Sequence, residues 1–186
     1  MRNIVLVGFM GAGKTTVGRL LAKQLEWNFI DLDKEIEAAC GMAVSRIFAE
    51  HGEAFFRQRE SEAIKRLRQC THTVISTGGG AVLRDENIDD LRKCGILVRL
   101  EAHPEVIVNR VENDQHVTRP LLNQPDRLQT VTTLLAQRQD RYKLADVSVD
   151  TNNNTPDEVV QKIKSLCHIH DRKSFRFQPV PVWLGV

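Results

Sequence analysis

The chain lacks a long apolar run, a block of like charge and any pair of closely spaced cysteines, and each absence removes a class of protein. Its first apolar stretch is the short run Ile4 to Val7, which leads into a Gly-rich loop. It reads as neither a signal peptide nor a membrane span. There are 26 basic against 24 acidic residues and no Lys/Arg run. Neither nucleic acid nor an anionic membrane is expected as a partner. Cys40, Cys70, Cys94 and Cys167 form no CxxC or Cys/His ligand spacing. Reduced structural thiols and a cytoplasmic location are therefore expected. Internal repeats and low-complexity tracts are absent too. What is present, 186 residues with 41% hydrophobic and 27% charged, suits one globular core.

Short apolar or β-branched runs at 3–7, 28–31, 73–76, 96–100 and 146–150 predict five strands. Helical patterns lie between and after them, at Lys14–Glu26, Lys34–Ala39, Val44–His51, Glu53–Cys70, Asp85–Lys93, Pro104–Glu112, Arg127–Leu144 and Pro156–Cys167. Alternation of this kind predicts the α/β class, a five-stranded parallel sheet with helices on both faces. Two segments stand outside it. Asn113–Asp126 is a polar loop with two prolines, long enough to suggest movement or binding. His168–Val186 follows the last helix and reads as an extension of unknown role.

The strongest motif is Gly8-Phe-Met-Gly-Ala-Gly13-Lys14-Thr15, a phosphate loop placed after a strand and before a helix. In such a loop the backbone N–H groups face a β-phosphate, aided by the helix dipole, while Lys14 adds a point charge and the Thr15 hydroxyl ligates Mg2+. Asp31 and Asp33 are expected to end the second strand at i and i+2, both on one face of extended backbone at the ligand end of the sheet. One carboxylate would serve the Mg2+ shell and the other would take the proton of an attacking hydroxyl. The simpler alternative is that Asp33 only caps the next helix. Thr77-Gly78-Gly79-Gly80 follows the third strand, where bare backbone lets a ligand approach and where a plain turn serves as well.

Arg57 has Glu53 four residues before it and Glu60 three after, which taken alone reads as a solvated helix face. Arg138 and Arg141 invite the same reading. Arg119 differs, because it lies within the Pro-containing loop, where a mobile cation reaches transferring phosphates. Phe48, Phe55 and Phe56 read as core. These residues by themselves describe a phosphotransferase acting on a small acidic alcohol.

Taken in order and at their intervals, GxxGAGKTT at 8–16, D-x-D at 31–33, GEAFFRQRE at 52–60, TGGGAV at 77–82, TRPLL at 118–122 and QRxxxY at 137–142 resemble the bacterial shikimate kinase family. The resemblance spans about residues 3–167. It implies a P-loop NTPase fold of the nucleoside monophosphate kinase type, one kinase domain over 1–167 with a lid at about 113–126, and transfer of the ATP γ-phosphoryl group to the 3-hydroxyl of shikimate with one Mg2+ ion. It implies roles in ATP binding for Gly11, Ala12, Gly13, Lys14, Thr15 and Thr16, with Arg119 as the lid arginine. Asp31, through water, and Thr15 would hold the metal. Asp33, Arg57, Gly79 and Arg138 would hold shikimate, with Lys14, Asp33 and Arg119 acting in catalysis. Arg110 and Pro156 fall where the family sandwiches adenine. A monomer with ATP and shikimate as its partners is expected. Arg141 stays a rival to Arg138, another small hydroxy or sugar acid such as gluconate a rival acceptor, and a nucleotide-dependent switch a rival class.

Overall fold

Each crossover between neighbouring strands carries at least one helix, and such connections bring strands into a sheet in parallel. The structure is a computed structural model that describes residues 3–113 and 126–169. Strands β1 (Asn3–Val7), β2 (Asn28–Asp31), β3 (Thr73–Ser76), β4 (Gly95–Glu101) and β5 (Val147–Asp150) form one sheet in the order β2-β3-β1-β4-β5. All four pairings are parallel. Helices α1 (Lys14–Leu25), α2 (Leu32–Cys40), α3 (Val44–Arg66), α4 (Asp85–Cys94), α5 (Pro104–Asn113), α6 (Arg127–Tyr142) and α7 (Pro156–Leu166) cover it.

Strand β1 is buried along its whole length, and its alternating side chains build two cores. Ile4 and Leu6 pack under α1 and α7 with Val17, Leu21, Val160 and Ile163. Val5 and Val7 face the opposite layer, formed by α2 to α6, with Ile36, Phe56, Leu91 and Ile107. Phe56 is buried and Phe48 and Phe55 pack against this second core, as expected of them.

The expected strands fall within a residue of those observed. The helices differ in two informative places. Backbone at Gly52 (φ 80, ψ 170) interrupts α3 where two separate helices were expected. Helix α2 begins at Leu32, two residues earlier than expected, and that moves Asp33 off the strand into the helix's first turn. The core also runs past Cys167. Ile169 donates its N–H to Lys164 O at 2.9 Å and is buried against the α1/α7 layer. Arg119, nearly all of the expected lid and the extension from residue 170 lie outside the described residues. All four cysteines are free thiols, and no helix among the described residues is long and apolar enough to cross a membrane.

Asn3 fastens the start of the central strand. Its amide donates to Cys70 O (2.8 Å) and Cys94 O (3.1 Å) and accepts from the Thr73 N–H (3.1 Å), joining the segments that lead into β3 and β4. Asn3→Ala leaves three buried backbone groups without partners, and the expected loss of stability is about 2–4 kcal/mol. Urea unfolding checks this, and a loss under about 1 kcal/mol contradicts the assignment.

Candidate active site

In a parallel sheet every strand ends on the same side, so the segments after β1, β2, β3 and β5 meet along one edge. The chain leaves β1, builds strands to one side and then returns to the other with β4, which places the phosphate loop at the reversal. Gly13 holds the left-handed backbone (φ 98) from which α1 starts, and a side chain there would strain that turn. The buried Lys14 ammonium folds back over the loop and donates to Gly8 O and Phe9 O, both at 2.8 Å. Ala12 is buried while Thr15 and Thr16 stand exposed on the first turn.

Thr15 Oγ1 donates to Asp31 Oδ2 at 2.8 Å and lies 3.5 Å from Ser76 Oγ. Asp31 and Ser76 are cross-strand partners at the ends of β2 and β3, so the sheet register itself gathers this oxygen set. Three oxygen donors of this kind suit Mg2+, which favours hard ligands and keeps several waters. Among the described residues no group of three His, Cys, Asp or Glu side chains offers a rival metal site. Sequence reasoning missed Ser76. Its signal was available, as the last residue of a strand paired with the one ending at Asp31.

Asp33 does not share a strand face with Asp31. It rides on α2, and Asp31 occupies the position before the first helical residue, so Asp33 is not the cap either. The helical turn swings its carboxylate toward the triple-glycine segment. Asp33 Oδ1 lies 2.7 Å and Glu60 Oε1 2.9 Å from the point where a Cβ on Gly78 would stand. Both oxygens are out of contact with solvent and have no hydrogen-bond partner among the described residues. Burial, then the nearby Asp31, raises the Asp33 carboxyl above its ordinary value, while Lys14 and Arg57 pull the other way.

Arg57 is not on a solvated face. Its side chain is only 11% exposed and that of its partner Glu60 is 0% exposed. Nη1 bonds Glu60 Oε2 at 2.7 Å, and Nε and Nη2 both reach Glu53 Oε1 at 3.1 Å. The guanidinium lies against Gly80, where a Cβ would fall 2.5 Å from Cζ. Burial raises the Glu60 carboxyl, opposed first by Arg57. The sequence showed the Glu–Arg–Glu spacing. It did not show that α3 turns this face inward against the triple-glycine segment.

Arg138 and its rival Arg141 part company here. Arg138 is buried, with its guanidinium 5.6 Å from the Phe9 ring centroid, beside the phosphate loop. Arg141 turns away, donating to Val82 O (2.9 Å) and pairing with Asp85 (2.7 Å). Gly79 lies between them and the loop, its would-be Cβ 3.2 Å from Met10 N, and its carbonyl accepts a 2.6 Å hydrogen bond from the Tyr142 hydroxyl. Arg110 bonds Thr151 Oγ1 (3.0 Å) and reaches Gly11 O (3.4 Å), while Thr151 Oγ1 contacts Ala12 O at 3.3 Å. Pro156 is exposed at the start of α7 behind a Thr155/Glu158 capping box. Thus Arg110 borders the segment that leads to Pro156.

A raised carboxyl has a definite sign in the pH dependence of stability. Folded Asp33 holds its proton above the ordinary value of 3.8, so the folded state binds more protons than the unfolded one in that window. Its contribution is fully present below 3.8 and is lost as pH rises through the folded value. Asp33→Asn is therefore expected to flatten the fall in stability with rising pH and to be more stable than the wild type near neutrality. Urea unfolding from about pH 4 to about pH 8, without nucleotide or metal, tests this. Parallel curves for the two proteins would contradict it.

The shikimate kinase sequence profile matches residues 10–168 of this chain. A shikimate kinase of Thermodesulfovibrio yellowstonii is 47% identical over 163 residues, covering 88% of this chain and 93% of that protein. One from Caldanaerobacter subterraneus is 44% identical over 163 residues, covering 88% and 94%. Among solved structures, shikimate kinase from Acinetobacter baumannii in complex with shikimate superposes with a TM-score of 0.85 at 38% identity, over 90% of this chain and 93% of that one. With a profile match over most of the chain and relatives at 44% and 47% identity, this protein belongs to the shikimate kinase family.

Proposed function

We propose that this chain transfers the γ-phosphoryl group of ATP to the 3-hydroxyl of shikimate, giving shikimate 3-phosphate and ADP. The observation that carries the reading is the placement of two buried arginines, Arg57 and Arg138, and a raised carboxyl, Asp33, around the triple glycine beside a phosphate loop. An anionic hydroxy acid needs cations for its carboxylate and an acceptor for its hydroxyl proton. Arg57 and Arg138 clamp the carboxylate, and Gly79 with its neighbours lets the ring approach the backbone. Asp33 orients the hydroxyl and takes its proton as the hydroxyl oxygen bonds to the γ-phosphorus and the bond to the β–γ bridging oxygen breaks. A carboxyl raised by burial is better matched to that task than an ordinary one.

Residues Gly11 to Thr16 cradle the nucleotide phosphates with backbone N–H groups, and Lys14 supplies charge to the β- and γ-phosphates. Thr15, and Asp31 through water, would hold Mg2+, which would supply neutralisation of the phosphate charge. Ser76 joins that shell. Arg119, outside the described residues, would serve as the lid arginine, and Arg110 and Pro156 would flank the adenine. The enzyme acts as a cytoplasmic monomer. Its catalytic unit is one domain, which we extend from residue 167 to Ile169 because that side chain is buried in the core. A chain ending after Ile169 is expected to keep full turnover.

A coupled ADP-release assay with ATP, Mg2+ and shikimate tests the whole reading. Release that depends on shikimate supports it. Release with gluconate but not with shikimate overturns the acceptor, and nucleotide binding without transfer to any acid overturns the class. Lys14→Met is expected to fold and lose most turnover, and Arg119→Ala to lose on the order of 10³-fold. Asp33→Asn is expected to lose about 10²–10⁴-fold in kcat. Either Arg57→Ala or Arg138→Ala should lower kcat/KM for shikimate about tenfold to a hundredfold with little change for ATP. Methyl shikimate is expected to be a poor acceptor. Equal use of the ester and the acid contradicts the clamp.

A further inference from the structure

We propose that Tyr142 is a positioning residue of the acceptor site, its hydroxyl linking Arg138 to the Gly79 peptide so that cation and glycine turn face the acceptor as one rigid unit. This rests on the shikimate kinase reading and adds to it a residue that touches no substrate. Tyr142 ends α6 one turn after Arg138, and residues four apart on a helix share a face. It is 1% exposed, so its hydroxyl must find partners inside the protein. It donates to Gly79 O at 2.6 Å. With its proton given to Gly79, its lone pairs are left for Arg138, one turn earlier on the same face of α6 and the group that most opposes the upward pull of burial on the phenol. A hydroxyl has one proton to give and lone pairs to receive, so the two contacts run in one direction, from Arg138 through the phenol to Gly79.

The ring itself is held from a third element. Arg99 on β4 lies 5.8 Å from the ring centroid and is fixed by a 2.8 Å ion pair with Glu101. With the ring clamped, the direction of the Gly79 carbonyl is clamped as well. A trans peptide is planar, so the N–H of Gly80 in the same unit points away from the tyrosine. Phenylalanine would fill the same space against Arg99 and the core. Only the hydroxyl accounts for the contacts with Gly79 and Arg138.

Tyr142→Phe keeps the packing and removes the link. The expected result is a fall of about tenfold in kcat/KM for shikimate, seen mainly in KM, with KM for ATP changed by less than about twofold. In an Arg138→Ala background the same substitution should add almost nothing, because the tyrosine acts through that arginine. A tyrosine that only packs would lower Tm and leave both KM values alone. Tyr142 is also the only tyrosine of the chain, so wild-type protein carrying a labelled tyrosine Cζ gives one resonance. Saturating shikimate should shift that resonance, and this holds whether or not the variant folds. Unchanged shikimate kinetics in folded Tyr142→Phe, additivity with Arg138→Ala, or an unmoved resonance overturns the inference alone. A wild-type enzyme that does not phosphorylate shikimate overturns the functional reading and this inference with it.

Discussion

Positive charge is buried beside the phosphate loop because Arg57 and Lys14 are each anchored by acceptors of the protein itself. Arg57 is the clearest case. Desolvating a guanidinium costs several kcal/mol unless it is paired and hydrogen-bonded, and Glu60, wholly buried on the same helix, meets that cost at 2.7 Å. The pair is anchored to one rigid element, so it holds its place without a ligand. Lys14 is fixed by two carbonyls in the same spirit. Charge arranged in advance, in surroundings poor in water, acts on a reacting group more strongly than the same charge in solution and needs no rearrangement when the reaction occurs.

The counterpart of those cations is a deficit of donors. Asp33 Oδ1 and Glu60 Oε1 both look into the space over Gly78, and neither has a partner among the described residues. Buried acceptors left in this state are unfavourable by themselves, and their cost is tolerated in native proteins where a function uses it. Gly78 matters here by what it lacks. A methyl group at that position would stand within 3 Å of both carboxylates and close the space they share.

Much of this was legible in the residue pattern, and what was not has a common cause. Strand positions came from short β-branched runs, and the phosphate loop from a motif whose chemistry dictates its spacing. That one carboxylate of the D-x-D would serve the metal with Thr15 followed from strand ends in a parallel sheet, and the family resemblance assigned that role to Asp31. Local pattern failed where a side chain's value depends on another element. Glu60 looked like surface charge because nothing in 53–60 reveals that α3 is pressed against the triple glycine. Arg138 and Arg141 differ only in which way α6 faces. Asp33 was misplaced because Leu32, a residue at home in strands and helices alike, starts the helix early. Ser76 could have been found as the last residue of the third expected strand, whereas the partners of Tyr142 become plain only when helix packing is known.

The central strand is also made before both of the strands that pair with it. Its neighbours β3 and β4 lie about seventy and ninety residues downstream, as the Asn3 bonds to Cys70 and Cys94 make plain. During synthesis this apolar strand must therefore wait with both edges unpaired until the chain has grown through Ser76, and with one edge unpaired until it has grown through Glu101. Sequence-distant pairing of this kind slows folding and leaves a strand exposed to wrong partners meanwhile. Its brevity, five residues closed by a glycine loop, limits what a stray strand can pair with during that interval.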